Sequence, residues 1–133
     1  MTAKDIAWWS GQRSHLTQQL DSLAAAVRVH HPTLQYRLQQ SENDVKPLDV
    51  LGVYSLPQHR DEQLIVSTMY TWSKGPLRRH CDIMQEDGPI LDELPDQDLG
   101  REPDAGELAA SIEEVLRFIS RCEGVIVSRV NAY

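Results

Sequence analysis

An α+β fold is what these 133 residues predict: a mostly antiparallel sheet of four to six strands with an N-terminal and a C-terminal amphipathic helix both packed on its apolar face. Three observations carry that reading. Gln63–Trp72 and Leu77–Glu86 are β-like runs separated by Ser73-Lys74-Gly75-Pro76, which is the signature of a hairpin. Leu16, Leu20, Leu23, Ala24 and Val27 recur on one face of a 3.6-residue period. Leu108, Ile112, Val115, Leu116 and Ile119 do the same beyond residue 104.

The first helix has Ser10 or Ser14 as a cap, and Pro32 stops it while biasing His31 towards extended backbone. Ile6 and Trp9 continue the rhythm upstream, with Thr2 and Asp5 resembling a capping box. Gly11 weakens a continuous helix, so Lys4–Trp9 is expected as a separate turn. Leu34, Tyr36 and Leu38 alternate with polar residues as a first strand, and the polar run 40–46 leads to the next.

Leu48–Leu56 is the second strand, with Gly52 marking a bulge or a close backbone approach. With Lys74 and Gly75 as the turn of the following hairpin, Trp72 opposes Leu77, Tyr70 opposes Arg79, Thr68 opposes Cys81 and Val66 opposes Ile83. These pairs form a core face, because side chains on a strand alternate between faces. Thr71 with Arg78, Met69 with His80, and Ser67 with Asp82 then face water. Asp87-Gly88 is a turn, Ile90–Leu94 a short edge strand and Pro95–Pro103 a loop. Asp104 with Glu107 makes a capping box for the second helix. Gly124 is placed to end it, with Arg117 and Arg121 near its C-terminus. Val125–Val130 reads as a last, strongly β-branched strand, giving the order α-β-β-β-β-(β)-α-β over one domain, residues 1–133.

Composition narrows the function classes. The first nine residues have no apolar run, so no secretory leader is expected. No stretch reaches the length of a membrane span. Two cysteines, Cys81 and Cys122, lack both a disulfide framework and metal-site spacing, which fits a reducing, cytoplasmic setting. No cofactor motif is present. The net charge of −7 is unevenly distributed. Residues 82–114 hold twelve of the twenty acids and a single base, Arg101, a balance of −11, whereas the remainder is +4. Such a segment repels phosphate backbones, so nucleic acid is not an expected ligand, and it favours a basic protein partner. The alternative is that these acids merely keep an irregular segment solvated.

Few residues invite chemistry. His80 and Cys81 are adjacent, but on a strand they point to opposite faces and cannot form a nucleophile–base pair. Arg78, His80 and Asp82 share a face. Asp82 there would orient His80 as a general base and Arg78 would hold an anion, unless the three are simply a solvated sheet face. His30-His31 follows a helix without a third ligand and reads as cationic helix-end residues rather than a metal site. Trp8 and Trp9 are either interface anchors or core packing. The candidate partner contacts are therefore Trp8, Trp9, Glu86, Asp87, Asp92, Glu93, Asp96 and Asp98.

The expected function is a small acidic binding module that occludes or escorts a protein partner, built like immunity proteins, inhibitors or secretion chaperones, and possible as a homodimer. The alternatives are a small enzyme or ligand-binding domain with a polar pocket at His80, Asp82 and Arg78, and a structural subunit whose last strand completes another chain's sheet.

Overall fold

A computed structural model describes residues 6–55, 62–72 and 74–131. Helix α1 spans Ile6–His30. Strands β1 (Gln35–Ser41), β2 (Leu48–Ser55), β3 (Gln63–Trp72), β4 (Leu77–Gln85) and β5 (Ile90–Gly100) follow, and α2 spans Ala105–Asn131. The strands form one antiparallel meander in the order β1-β2-β3-β4-β5. Both helices lie on the same face of this sheet and against each other. The α+β class, the antiparallel sheet and the two flanking helices are as the sequence predicts.

The central hairpin has the expected register: Trp72 pairs with Leu77, Tyr70 with Arg79, Thr68 with Cys81 and Val66 with Ile83. Lys74 and Gly75 both adopt positive φ, 56° and 113°, the backbone that lets a tight turn follow the right-handed twist of its strands. Ser73 lies outside the described residues, as does the expected capping box at Thr2 and Asp5. The core between sheet and helices takes Leu48, Val50, Tyr54, Leu64, Val66, Tyr70, Leu77, Cys81 and Ile83 from the strands. Leu16, Leu20, Val27, Leu108, Val115, Phe118, Ile119 and Ile126 enter it from the helices.

Gly52 marks a close approach and no bulge, since its pairings with Leu38 and Val66 sit in unbroken registers. A Cβ there would fall 2.9 Å from the Tyr54 ring and 3.1 Å from a Leu20 methyl. The space is taken because the Tyr54 hydroxyl donates to the Leu20 carbonyl at 2.7 Å, tying α1 to β2.

Four expectations are corrected. First, Gly11 does not break α1. Trp9 is 3% exposed, so burial of the turn before the glycine outweighs a propensity cost of about 1 kcal/mol. Ser14 accordingly sits inside the helix, its hydroxyl donating to the Ser10 carbonyl. Second, Pro95–Gly100 is not loop but the second half of β5. Leu94 and Leu99 are buried and hold it to the core, register shifts opposite Arg79–Cys81 relieve the ladder, and Pro95 is tolerated because β5 is an edge.

Third, residues 125–130 are not a strand, and Gly124 does not end α2. Val115, Ile119, Cys122 and Ile126 are buried at spacings of four, three and four, and this helical period overrides the β preference of Val125, Ile126 and Val127. Arg129 fastens the extended end, donating to Glu62 and to Gln85 at 2.7 Å each. The order is therefore α-β-β-β-β-β-α. Arg121, expected at a helix end, lies mid-helix. It donates to both carboxylate oxygens of Asp92 and covers the Phe118 ring at 4.8 Å. Fourth, Asp82 does not face water as its strand position predicts; it is 4% exposed.

Asp104 caps α2 as expected, accepting from the Glu107 amide at 2.8 Å. Among the described residues no helix is long and apolar enough to cross a membrane.

Candidate functional site

Because α1 and α2 share one side of the meander, no helix among the described residues lies on the other side of the sheet. Strand registers set its side chains in rows. One row runs Arg37, Val53, Ile65, Met84 and Ile90; the next runs Gln39, Leu51, Ser67, Asp82 and Glu93. A third aligns Ser41, Asp49, Met69 and His80, and a fourth brings Thr71, Arg78 and Asp98 together. The first row is apolar over four strands, ending in the half-exposed Ile90. The later rows become acidic towards β5.

His80 sits between two carboxylates. Its Nε2 lies 2.8 Å from Asp82 Oδ2 and its Nδ1 lies 2.9 Å from Asp96 Oδ1. Carboxylates only accept, so both contacts become hydrogen bonds when each ring nitrogen carries a proton, which is the imidazolium. Burial works against that charge, but the hydrogen bonds the ring donates to Asp96 and Asp82, and their negative charge, outweigh it. His80 consequently titrates above the ordinary histidine range. Asp82 Oδ1 is buried and finds no partner among the described residues. Arg78, on the same face, reaches Asp98 at 3.8 Å.

Arg78, His80 and Asp82 thus share a face as the alternation predicts, but their arrangement does not suit general-base chemistry. Neither His80 nitrogen is free to take a proton from a substrate, and Arg78 is turned to Asp98. A groove of about 550 Å³ between β5 and α2, lined by Leu91, Gly124, Val125 and Arg121 among others, contains none of the three. His80 and Cys81 face opposite sides of the sheet. Burial pushes the Cys81 and Cys122 thiols up to about 12, so both remain protonated at neutral pH. No group of three metal-ligating side chains forms among the described residues.

The remaining candidates separate. Trp9 is core, its ring 5.4 Å from Tyr70, which takes it off the surface; Trp8 is half-buried and meets Trp9 edge-on at 4.7 Å. Glu86 and Asp87 are exposed in the β4–β5 turn, where Asp87 has a φ of 57°. Asp92 faces the helices, where Arg121 engages it. Glu93, Asp96 and Asp98 are exposed along the open face's β5 margin.

Sequence reasoning missed the polar group under α2. Arg79 is 2% exposed on the core face. Its guanidinium reaches Glu114 at 2.9 Å, the Pro95 carbonyl at 2.9 Å and Ser111 Oγ at 3.4 Å. Ser111 also meets the Tyr70 hydroxyl at 2.7 Å and donates to Gln97 at 2.9 Å. The signal was available: an arginine opposite a core tyrosine in the hairpin register needs buried acceptors. This network ties α2 to three strands and leaves Arg79 Nε without a partner among the described residues.

Comparison of the chain with protein-family models, curated proteins and solved structures gave no match.

Proposed function

We propose that the chain is a protein-binding module that receives a basic partner on the open face of its sheet and so occludes or escorts it. The observation that supports this reading is the juxtaposition on one face of the sheet of the partly or fully exposed apolar residues Ile65, Met84 and Ile90 with the exposed carboxylates Glu93, Asp96 and Asp98. Apolar contact supplies affinity at such a surface, and the acidic margin steers and orients a partner of opposite charge.

The test compares affinity capture from the native host by the wild-type chain, by a Glu93→Gln/Asp98→Asn variant and by a control Glu86→Gln/Asp87→Asn variant in the turn. The expected result is one basic protein retained by wild type and control and lost by the face variant, with weaker retention near 0.5 M salt, where screening shortens to a few Å. Equal capture by all three chains, or no specific capture, would remove the reading.

A further inference from the structure

The two edges of the sheet are built differently. β5 is defended: Pro95 interrupts it, register shifts distort its ladder, and Asp92, Glu93, Asp96 and Asp98 charge it. These are devices by which proteins prevent strand addition. β1 has neither the proline nor the register shifts nor any acid. Its seven residues pair with β2 in an unbroken register, contain no proline and one charge, Arg37, and five are exposed. Among the described residues no side chain or strand caps its free edge.

We infer that β1 pairs antiparallel with β1 of a second copy about a two-fold axis at Leu38, giving a continuous ten-stranded sheet. The occupant follows from register and charge. In an antiparallel pair, outward-facing residues oppose outward-facing residues, so a two-fold axis must pass through a residue and its own symmetry mate. Centring on Leu38 is the only choice that pairs all seven residues: Gln35 with Ser41, Tyr36 with Gln40, Arg37 with Gln39, and Leu38 with itself. No like charges then stand directly opposite, and the half-buried Leu38 and Tyr36 gain apolar cover on the helix side.

Each acidic β5 edge meanwhile lies four strand spacings away, roughly 19 Å from β1, so the strongly charged margins do not meet. Adding β1 of one copy to β5 of another would match charge and propagate as a fibre. Pro95 and the register shifts of β5 oppose that, leaving the closed dimer.

Solution mass across a concentration series, with engineered cysteines as a ruler, tests the pairing without any partner protein. Wild type is expected at twice 15.1 kDa. Directly opposite residues have Cα atoms about 4.5–5.5 Å apart, within disulfide reach. Leu38→Cys should therefore oxidise to a covalent dimer, while the Gln35→Cys positions, roughly 20 Å apart, should not. The native Cys81 and Cys122 are buried and do not compete. Leu38→Lys and Leu38→Glu should each be monomeric with unchanged helical circular dichroism, and mixing them should restore a dimer. A monomeric wild type, a dimer that crosslinks through position 35 instead of 38, or a dimer indifferent to Leu38→Lys would each overturn the proposal.

Discussion

His80 Nε2 lies 2.8 Å from Asp82 Oδ2, a carboxylate that the strand withdraws almost wholly from water. A buried charge without a counter-charge is unfavourable, and here the counter-charge is a histidine, whose charge itself depends on pH. Asp96 holds the other ring nitrogen, so the pair becomes a chain of three groups with the imidazolium at its centre.

Stability is expected to depend on pH through His80. Its folded pKa is raised above the unfolded value of about 6.5. The contribution is therefore complete below about pH 6.5 and is lost as pH rises through the folded pKa. Urea unfolding at several pH values should show this loss, and Asp82→Asn should flatten it while moving the His80 resonances to a lower titration midpoint. An unchanged midpoint would show that Asp82 does not govern the ring.

Two glycines report on helix continuity. A Cβ at Gly124 or at Gly11 meets nothing within 4 Å, and neither has positive φ. Gly124→Ala and Gly11→Ala should each stabilise the fold by about 0.5–1 kcal/mol, the usual helix-interior difference. Were Gly124 a left-handed helix terminator, alanine would instead destabilise. Thermal or denaturant unfolding distinguishes the two signs.

Gly52→Ala has the opposite expectation. The added methyl would press on the Tyr54 ring and Leu20, both fully buried and joined by their own hydrogen bond. A loss of about 1–3 kcal/mol is expected for such overpacking, read from the shift in denaturation midpoint.

Arg79→Ala should cost roughly 2–4 kcal/mol, in the range of mutations that open a buried polar network. It vacates the space beside Ser111 and leaves the Pro95 carbonyl without its donor. Tyr70→Phe, which removes only one contact of the same network, should cost about 1 kcal/mol. Comparable losses for the two would assign Arg79 a smaller part than its position gives it.

Neither cysteine should react with a thiol reagent in the native protein at pH 8, because burial holds both thiols near 12 and out of contact with solvent. Both should react on unfolding. Rapid labelling of one thiol in the native state would mean that the core opens locally.

What the sequence determined by itself was local. The Lys74-Gly75 turn set the β3–β4 register, because side-chain alternation and a two-residue turn leave one pairing that sorts apolar from polar residues. The Leu16–Val27 and Leu108–Ile119 periods located the helices, since burial of one face requires them. The tertiary structure decided where local preference and burial disagree. It carried α2 through Gly124 because Ile126 completes a buried stripe. It turned 95–100 into strand because Leu99 reaches the core. It also separated the acids into Asp92 under the helices and Glu93, Asp96 and Asp98 on the open face. Spacing along a chain cannot report that separation, because it depends on which groups approach from other segments.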